Sequence, residues 1–239
     1  PAFLALPQDV QGWAYDYPVE FFAERTHRIR RQPPDGRDIA EAAALLKTAE
    51  RPVIIAGGGI QYSGAAEVLS HFAEAHNIPV VETIAGRANL VFNHRLNCGP
   101  IGVTGSNSAN AIASKADVIL AIGTRLQDFT TGSWTAFSRD ARLITVNVCR
   151  FDAGKHLALP VVGDAGLAIG ELSTSLGTYA APRSWTEFAS TEQAAWNAYV
   201  DENISPRDRD GGNRSMSYAQ VIGAVNALCD PRDRVVTAA

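Results

Sequence analysis

The pattern of apolar and polar residues between about residues 37 and 180 alternates between two periods. Short runs of consecutive apolar residues predict strands at 53–56, 79–81, 118–122, 143–148 and 161–162. Apolar residues at helical spacing predict helices at 37–49, 65–76, 109–116 and 165–176. Wholly apolar strands that alternate with helices indicate a parallel sheet covered on both faces. We therefore expect an α/β fold, a doubly wound Rossmann-like parallel sheet of about six strands with helices on both faces.

The segments that flank this region have a different pattern. Residues 3–6 and 234–239 are apolar, strand-like runs at the two ends of the chain. Because a terminal strand needs a neighbour, we expect the chain to be a piece of a longer protein. Residues 8–38 are predicted to form a linker. Its arginines form either an anion or partner site or a solvated crossover between domains: Arg25, Arg28, Arg30, Arg31 and Arg37.

Two capping boxes are predicted after residue 180. Ser184 and Glu187 have the spacing of a box that opens a helix, and Ser217 and Gln220 have the same spacing before a second helix. The polar stretch 201–215 between these helices predicts a flexible linker.

Composition narrows the class of protein further. The chain has 239 residues, 46% of them hydrophobic, and its 21 basic and 25 acidic side chains give a net charge of −4. A mildly acidic chain argues against nucleic acid as a partner, and the lack of a long apolar run argues against a transmembrane helix. Three widely spaced cysteines form neither a disulfide framework nor a zinc site, which favours a cytoplasmic location.

A glycine-rich turn follows the first predicted strand. Gly57, Gly58 and Gly59 lie where backbone amides at a helix N-terminus could receive a pyrophosphate. The dinucleotide fingerprint is broken, because Tyr62 stands at its third glycine position, and Ala65 excludes a P-loop. A nucleotide-binding turn and an ordinary tight turn are both open interpretations.

A second candidate loop, 123–134, follows the strand predicted at 118–122. It lies at the carboxyl end of that strand, where α/β folds bind ligands. Arg125 could clamp a phosphate that Asp128 orients, or the two side chains could form a salt bridge.

Two shorter segments complete the set of candidate loops. Residues 99–106 form a glycine-rich loop before a helix, with Ser106 or Asn107 as its N-cap. Asp164 follows the last predicted strand, where it could cap a helix or bind a ribose hydroxyl, and capping is the preferred interpretation.

No catalytic or metal-binding constellation is found in the sequence. The five histidines lack metal-ligand spacing, and no Gly-x-Ser-x-Gly elbow is present. Cys98 and Cys149 have no sequence context of a nucleophile, so we interpret both as buried small apolar residues.

These loops, in this order, resemble the central domain of thiamine-diphosphate-dependent enzymes of the acetolactate synthase type. Residues 51–59 resemble the first strand and glycine turn of that domain. The resemblance implies four segments, namely the end of the pyrimidine-binding domain with a linker (1–36), the central domain (37–180), a helix and linker (181–216), and the truncated start of the pyrophosphate-binding domain (217–239).

Within this family, residues 126–134 are similar to a branch that opens a cyclic dione in inositol catabolism. The resemblance implies that the parent protein is a homo-oligomeric hydrolase of carbon–carbon bonds that uses thiamine diphosphate and Mg²⁺. The thiazolium ylid would attack a ring carbonyl before cleavage and hydrolysis open the ring. The family's catalytic glutamate and metal motif lie in the missing domains of the same chain, which are the implied partners. We therefore expect no catalytic or metal residue here, and no activity of this chain alone.

The acetolactate synthase branch of the family holds FAD in the equivalent domain. The matching positions are Gly57, Gly58, Gly59, Thr83, Gly123, Thr124, Arg125 and Asp164. The cyclic-dione branch has no chemical need for FAD, so binding of FAD or ADP here is an open question. The alternative function is an FAD-binding central domain of an acetolactate synthase-like enzyme, from which Gln127, Phe129 and Trp134 depart.

Two functions from other classes are weaker. A sirtuin-like deacylase shares the broad fold, but it needs a zinc ribbon that Cys98, Cys149 and Cys229 cannot build. An electron-transfer flavoprotein domain would retain FAD through purification.

Overall fold

The computed structural model describes residues 3–205, 216–230, 232–233 and 235. The chain divides into two compact units, one that ends at Arg30 and one that begins at Arg31. The first unit contains two short 3-10 helices, Val10–Gly12 and Val19–Phe22. The strand predicted at 3–6 is wrong, because these residues join no sheet within the described chain.

Six parallel strands form the sheet of the second unit. They are β1 (Pro52–Ala56), β2 (Val80–Glu82), β3 (Asn97–Pro100), β4 (Val118–Ile122), β5 (Arg142–Asn147) and β6 (Leu159–Val162). Their order across the sheet is β3-β2-β1-β4-β5-β6, and every neighbouring pair is parallel. The direction of winding reverses between β1 and β4, which is the switch point where such sheets bind ligands.

Helices cover both faces of this sheet. They are α1 (Gly36–Lys47), α2 (Gly58–Ser63), α3 (Ala66–His76), α4 (Asn107–Lys115), α5 (Asp128–Thr131), α6 (Arg150–Ala153), α7 (Ala165–Leu176), α8 (Arg183–Ile204) and α9 (Tyr218–Leu228). Helix α7 packs against α1 and α3, and α4 packs against α8. Every residue of β1 and β4 is buried, as expected for central strands covered on both sides. The predicted fold class is confirmed.

Helix α8 is anchored to the sheet by Trp185. Its side chain is buried, stacks on Phe188, and donates from Nε1 to the Pro52 carbonyl oxygen at 2.8 Å. The capping box predicted at Ser184 is wrong. The helix begins at Arg183 after Pro182, and Glu187 instead forms an ion pair with Arg183 at 2.9 Å. Pro182 is the N-cap residue, its ψ of 138° lies outside the helical region, and its side chain makes no capping hydrogen bond.

Several smaller predictions can be compared with the structure. The capping box of Ser217 and Gln220 is confirmed at the start of α9, as is Ser106 as the N-cap of α4. Cys98 is buried as predicted, whereas Cys149 is exposed, so that prediction is wrong. Much of the linker predicted at 201–215 and most of the terminal run 234–239 lie outside the described residues. Within the described chain, no helix is long and apolar enough to span a bilayer.

The contact between Trp185 and the start of β1 can be tested by substitution. Trp185→Phe keeps an aromatic ring but removes the Nε1 donor, which leaves the buried Pro52 carbonyl without this partner. We expect a loss of about 1–3 kcal/mol in the free energy of unfolding, measured by urea denaturation. Trp196→Phe in the same helix is the matched control, because its indole donates no described hydrogen bond. Equal losses in the two variants would contradict this role.

Candidate functional site at the carboxyl edge of the sheet

The eight predicted ligand residues lie in turns at the carboxyl ends of four strands. Gly57 links β1 to α2, and Gly58 and Gly59 are the first two residues of α2. Thr83 follows β2. The run 123–125 follows β4, and Asp164 follows β6 as the N-cap of α7. Because β2, β1 and β4 are neighbours in the sheet, the seven residues that follow these strands lie close together. Asp164 lies beyond the end of β6 and is connected to this group by a hydrogen bond from Ser63, the last residue of α2.

The turns after β1 and β4 are in direct backbone contact. The Gly59 amide donates to the Gly123 carbonyl oxygen at 2.9 Å. A Cβ placed on Gly57 would lie 2.3 Å from the Gly123 oxygen, and one on Gly59 would lie 2.6 Å from the Gly123 Cα. Gly123 also has a φ of +63°, which favours glycine. Packing between the two turns alone therefore accounts for glycine at positions 57, 59 and 123.

Thr83 and Asn89 hold the neighbouring turn after β2. Thr83 is buried, and its hydroxyl accepts from the Gly86 amide at 3.1 Å. Asn89 is also buried, and its Nδ2 donates to the Gly57 carbonyl oxygen at 2.9 Å. Its Oδ1 is buried without a hydrogen-bond partner among the described residues. A Cβ on Gly58 would lie 3.0 Å from the Ala85 oxygen, so this turn packs directly on the glycine turn.

The turn after β4 is held by Asn147 at the end of β5. Asn147 Nδ2 donates to the Thr124 carbonyl oxygen at 3.0 Å, and the Thr124 hydroxyl accepts from the Leu126 amide at 3.2 Å. Arg125 is exposed and donates to Gln127 Oε1 at 3.3 Å. No ion pair joins Arg125 to Asp128 in the part of the chain that the structure describes, so the salt-bridge alternative for this pair is wrong.

The glycine-rich loop before α4 packs against the turn after β4. Gly102 has a φ of +113°, and a Cβ on it would lie 2.1 Å from the Phe129 carbonyl oxygen. The Asn110 side chain bonds both the amide and the carbonyl of Gly102 at 3.0 Å. The Val103 amide donates to the same Phe129 oxygen at 2.8 Å. Gly102, too, serves close backbone packing.

Asp164 has hydrogen-bond partners on both carboxylate oxygens. Its Oδ1 accepts from the Ser63 hydroxyl at 2.7 Å and from the amides of Gly166 and Leu167. Its Oδ2 accepts from Arg31 Nη1 at 2.8 Å. Burial by itself would raise the pKa of this carboxyl, but the bonds from Ser63 and Arg31 hold the pKa below its ordinary value. Asp164 is therefore an ionised N-cap of α7, in agreement with the preference for helix capping over ribose binding in the sequence analysis.

Two buried titratable groups lie near this edge. Burial raises the pKa of Glu82 above its ordinary value, against the opposing bond from the Leu90 amide at 2.9 Å. Burial raises the pKa of the Cys98 thiol to about 12, so the thiol stays protonated and is a poor nucleophile. No cluster of residues able to hold a metal ion occurs among the described side chains.

Sequence reasoning missed three residues that hold these turns, and it named Arg31 only as one of a basic cluster. Asn147 is the last residue of the buried strand β5, and this position was a usable signal. Asn89 lies in the loop beyond the end of β2 and carries no such signal. Nothing local in the sequence pairs Ser63 or Arg31 with Asp164, because they meet it from 101 and 133 residues away along the chain.

A comparison with family models identifies the class of protein. The model described as the thiamine pyrophosphate enzyme central domain matches residues 39–172, more than half of the chain. The chain belongs to the thiamine pyrophosphate enzymes. The matched range begins within α1 and ends within α7, so this central domain includes every strand of the sheet.

Several curated relatives of this central domain are named 3D-(3,5/4)-trihydroxycyclohexane-1,2-dione hydrolase. The protein from Geobacillus thermodenitrificans is 39% identical over 99% of this chain and 39% of its own length. The protein from Clostridium tetani is 47% identical over 72% of this chain and 27% of its own length. The chain thus spans about two fifths, or less, of the relatives that it matches.

A solved structure supports the fold. A thiamin diphosphate-dependent enzyme from Mycobacterium smegmatis superimposes with a TM-score of 0.54 at 22% identity. The match covers 66% of this chain and 30% of that one. At this identity the likeness concerns the architecture of the central domain alone.

The close packing of the two turns predicts the effect of adding one methyl group. Gly57 has an ordinary φ, so Gly57→Ala should act only through its contact with Gly123. We expect a loss of about 1–3 kcal/mol in the free energy of unfolding. Gly170→Ala is the control, because Gly170 lies inside α7 with open space around it and should gain about 0.5–1 kcal/mol. A neutral Gly57→Ala would show that the turns have room.

The lowered pKa of Asp164 predicts a dependence of stability on pH. The ionised carboxylate stabilises the folded chain above the ordinary pKa of about 3.9, and this is lost as pH falls through the lower folded-state pKa. Asp164→Asn should cost about 1–3 kcal/mol at neutral pH and should flatten the acid decline, measured by urea denaturation from pH 7 to about pH 2.

Asp128→Asn is the control for this measurement. Asp128 is exposed, and its carboxylate has no hydrogen-bond partner among the described residues. We expect this variant to keep the acid decline of the unsubstituted chain. An identical decline in Asp164→Asn would contradict the role of Asp164.

Proposed function

We propose that this chain is the central domain of a thiamine-diphosphate-dependent hydrolase that opens 3D-(3,5/4)-trihydroxycyclohexane-1,2-dione in inositol catabolism. The observation that carries the proposal is the identity of 36–47% to relatives of that name, which extends over as much as 99% of the chain. The alternative, an FAD-binding central domain of an acetolactate synthase, has less support, because the named relatives are hydrolases of the cyclic dione.

The central domain acts in this proposal as a scaffold and has no activity of its own. Thiamine diphosphate, when bound, supplies a carbanion and an electron sink for cleavage of a carbon–carbon bond. The described residues of this chain do not fit Mg²⁺, because they contain no cluster of histidine, cysteine or acidic side chains suited to a metal ion. In our proposal the rest of the parent protein therefore holds both groups.

Large apolar side chains exposed at the carboxyl edge support a role in packing. Ile84, Val103, Phe129 and Phe151 are all more than 60% exposed, and they follow β2, β3, β4 and β5 in turn. Clustered apolar exposure marks surfaces that are covered by other protein. We propose the other domains of the parent protein as the partner, within a cytoplasmic homo-oligomer.

A chimera tests the function. We expect the hydrolase of Geobacillus thermodenitrificans to retain thiamine-diphosphate-dependent ring opening of the dione when this chain replaces its matching 39%. This chain alone should show no turnover above background. The measurement is formation of the ring-opened acid, with and without added thiamine diphosphate.

The control is the same hydrolase with the central domain of an acetolactate synthase in that place. The proposal would be overturned if both chimeras fold and bind thiamine diphosphate, but only the one with the acetolactate synthase domain opens the dione. Binding of thiamine diphosphate, monitored by circular dichroism, distinguishes a folded chimera without activity from one that has not folded.

A further inference from the structure

Several polar atoms of the residues predicted to bind FAD or ADP form hydrogen bonds within the chain. The Gly59 amide is bound to the Gly123 oxygen, and the Gly57 oxygen accepts from Asn89. The hydroxyls of Thr83 and Thr124 each accept from a backbone amide of their own turn. Of these groups, the Gly59 amide is the backbone donor that a pyrophosphate would need, and it is already used within the chain.

The three glycines of this edge leave no space for a ligand between the two turns. A pyrophosphate can approach a glycine turn only where the missing side chain leaves room. Here that room is taken by backbone, because Cβ atoms on Gly57, Gly59 or Gly123 would lie within 2.6 Å of the opposite turn. The residues present therefore do not fit a dinucleotide.

A segment from the predicted linker covers the remaining position, Asp164. Arg31 Nη1 donates both to Asp164 Oδ2 at 2.8 Å and to the Tyr62 carbonyl oxygen at 3.0 Å. The Asp164 amide donates to the Gln32 oxygen at 2.8 Å. A Cβ on Gly163 would lie 2.8 Å from the Pro34 nitrogen, so the segment lies directly on the turn after β6. We call residues 31–34 the strap.

The structure assigns Arg31 as the internal ligand of Asp164, so that the strap occupies the position predicted for a ribose and this edge of the sheet binds no nucleotide. The guanidinium bridges two elements that are distant in sequence, the end of α2 and the start of α7. A charge-assisted bond to a carboxylate that is almost wholly buried is stronger than one to a solvated carboxylate. Arg31 thereby fixes the strap, and with it the entry of the chain into α1.

Calorimetry with FAD and with ADP tests the absence of a nucleotide site. We expect no saturable heat from the complete chain with either compound up to about 1 mM, the concentration at which a millimolar site would be half filled. Saturable one-to-one binding of FAD or of ADP would overturn the inference. Thiamine diphosphate is not needed for this measurement, so its outcome is independent of the proposed activity.

Hydrogen exchange tests the strap itself. Arg31→Ala should speed exchange of the Asp164 amide by about tenfold or more relative to the Leu120 amide of β4, which reports global opening. Arg28→Ala is the matched control, because this nearby exposed arginine has no described hydrogen bond or ion pair. It should leave the ratio unchanged. An unchanged ratio in Arg31→Ala, or an equal change in both variants, would overturn the role of Arg31.

Discussion

Backbone contact between the turns that follow β1 and β4 is the constraint on which the rest of this domain depends. The two strands are the central pair of the sheet, and the ladder between them continues past Ala56, where the Gly57 amide donates to the Ile122 oxygen at 2.8 Å. The two segments that follow these strands then turn in the same narrow space, where only glycine fits. The directions in which α2 and α5 leave the sheet follow from that contact.

Several polar groups of this edge take part in the same construction. Asn89 and Asn147 lie one strand away on either side and bond the carbonyls of the two turns. Asp164 joins the ends of α2 and α7 in a similar way. The loops of the edge also expose large apolar side chains, among them Phe129 and Phe151. Such a surface suits a domain that packs against protein and leaves the chemistry to other parts of the parent chain.

The sequence predicted the elements whose signals are local. Strand β4 was predicted with both of its ends, because all five of its residues are apolar and buried. Strand β3 was missed, since its Asn-Cys-Gly-Pro sequence has no apolar run and it is a strand only through its pairing with β2. The bond from Arg31 to Asp164 spans 133 residues, and nothing in the periodicity of either segment indicates it.

A glycine-rich turn after a buried strand therefore has two physical causes that sequence alone does not separate. Glycine is required where a phosphate approaches the backbone, and equally where a second turn approaches it. The distances around Gly57, Gly59 and Gly123 favour the second cause in this chain. The packing of the sheet thus requires these glycines whether or not a nucleotide binds. The ion pair of Arg31 with Asp164 occupies the position that was predicted for a ribose.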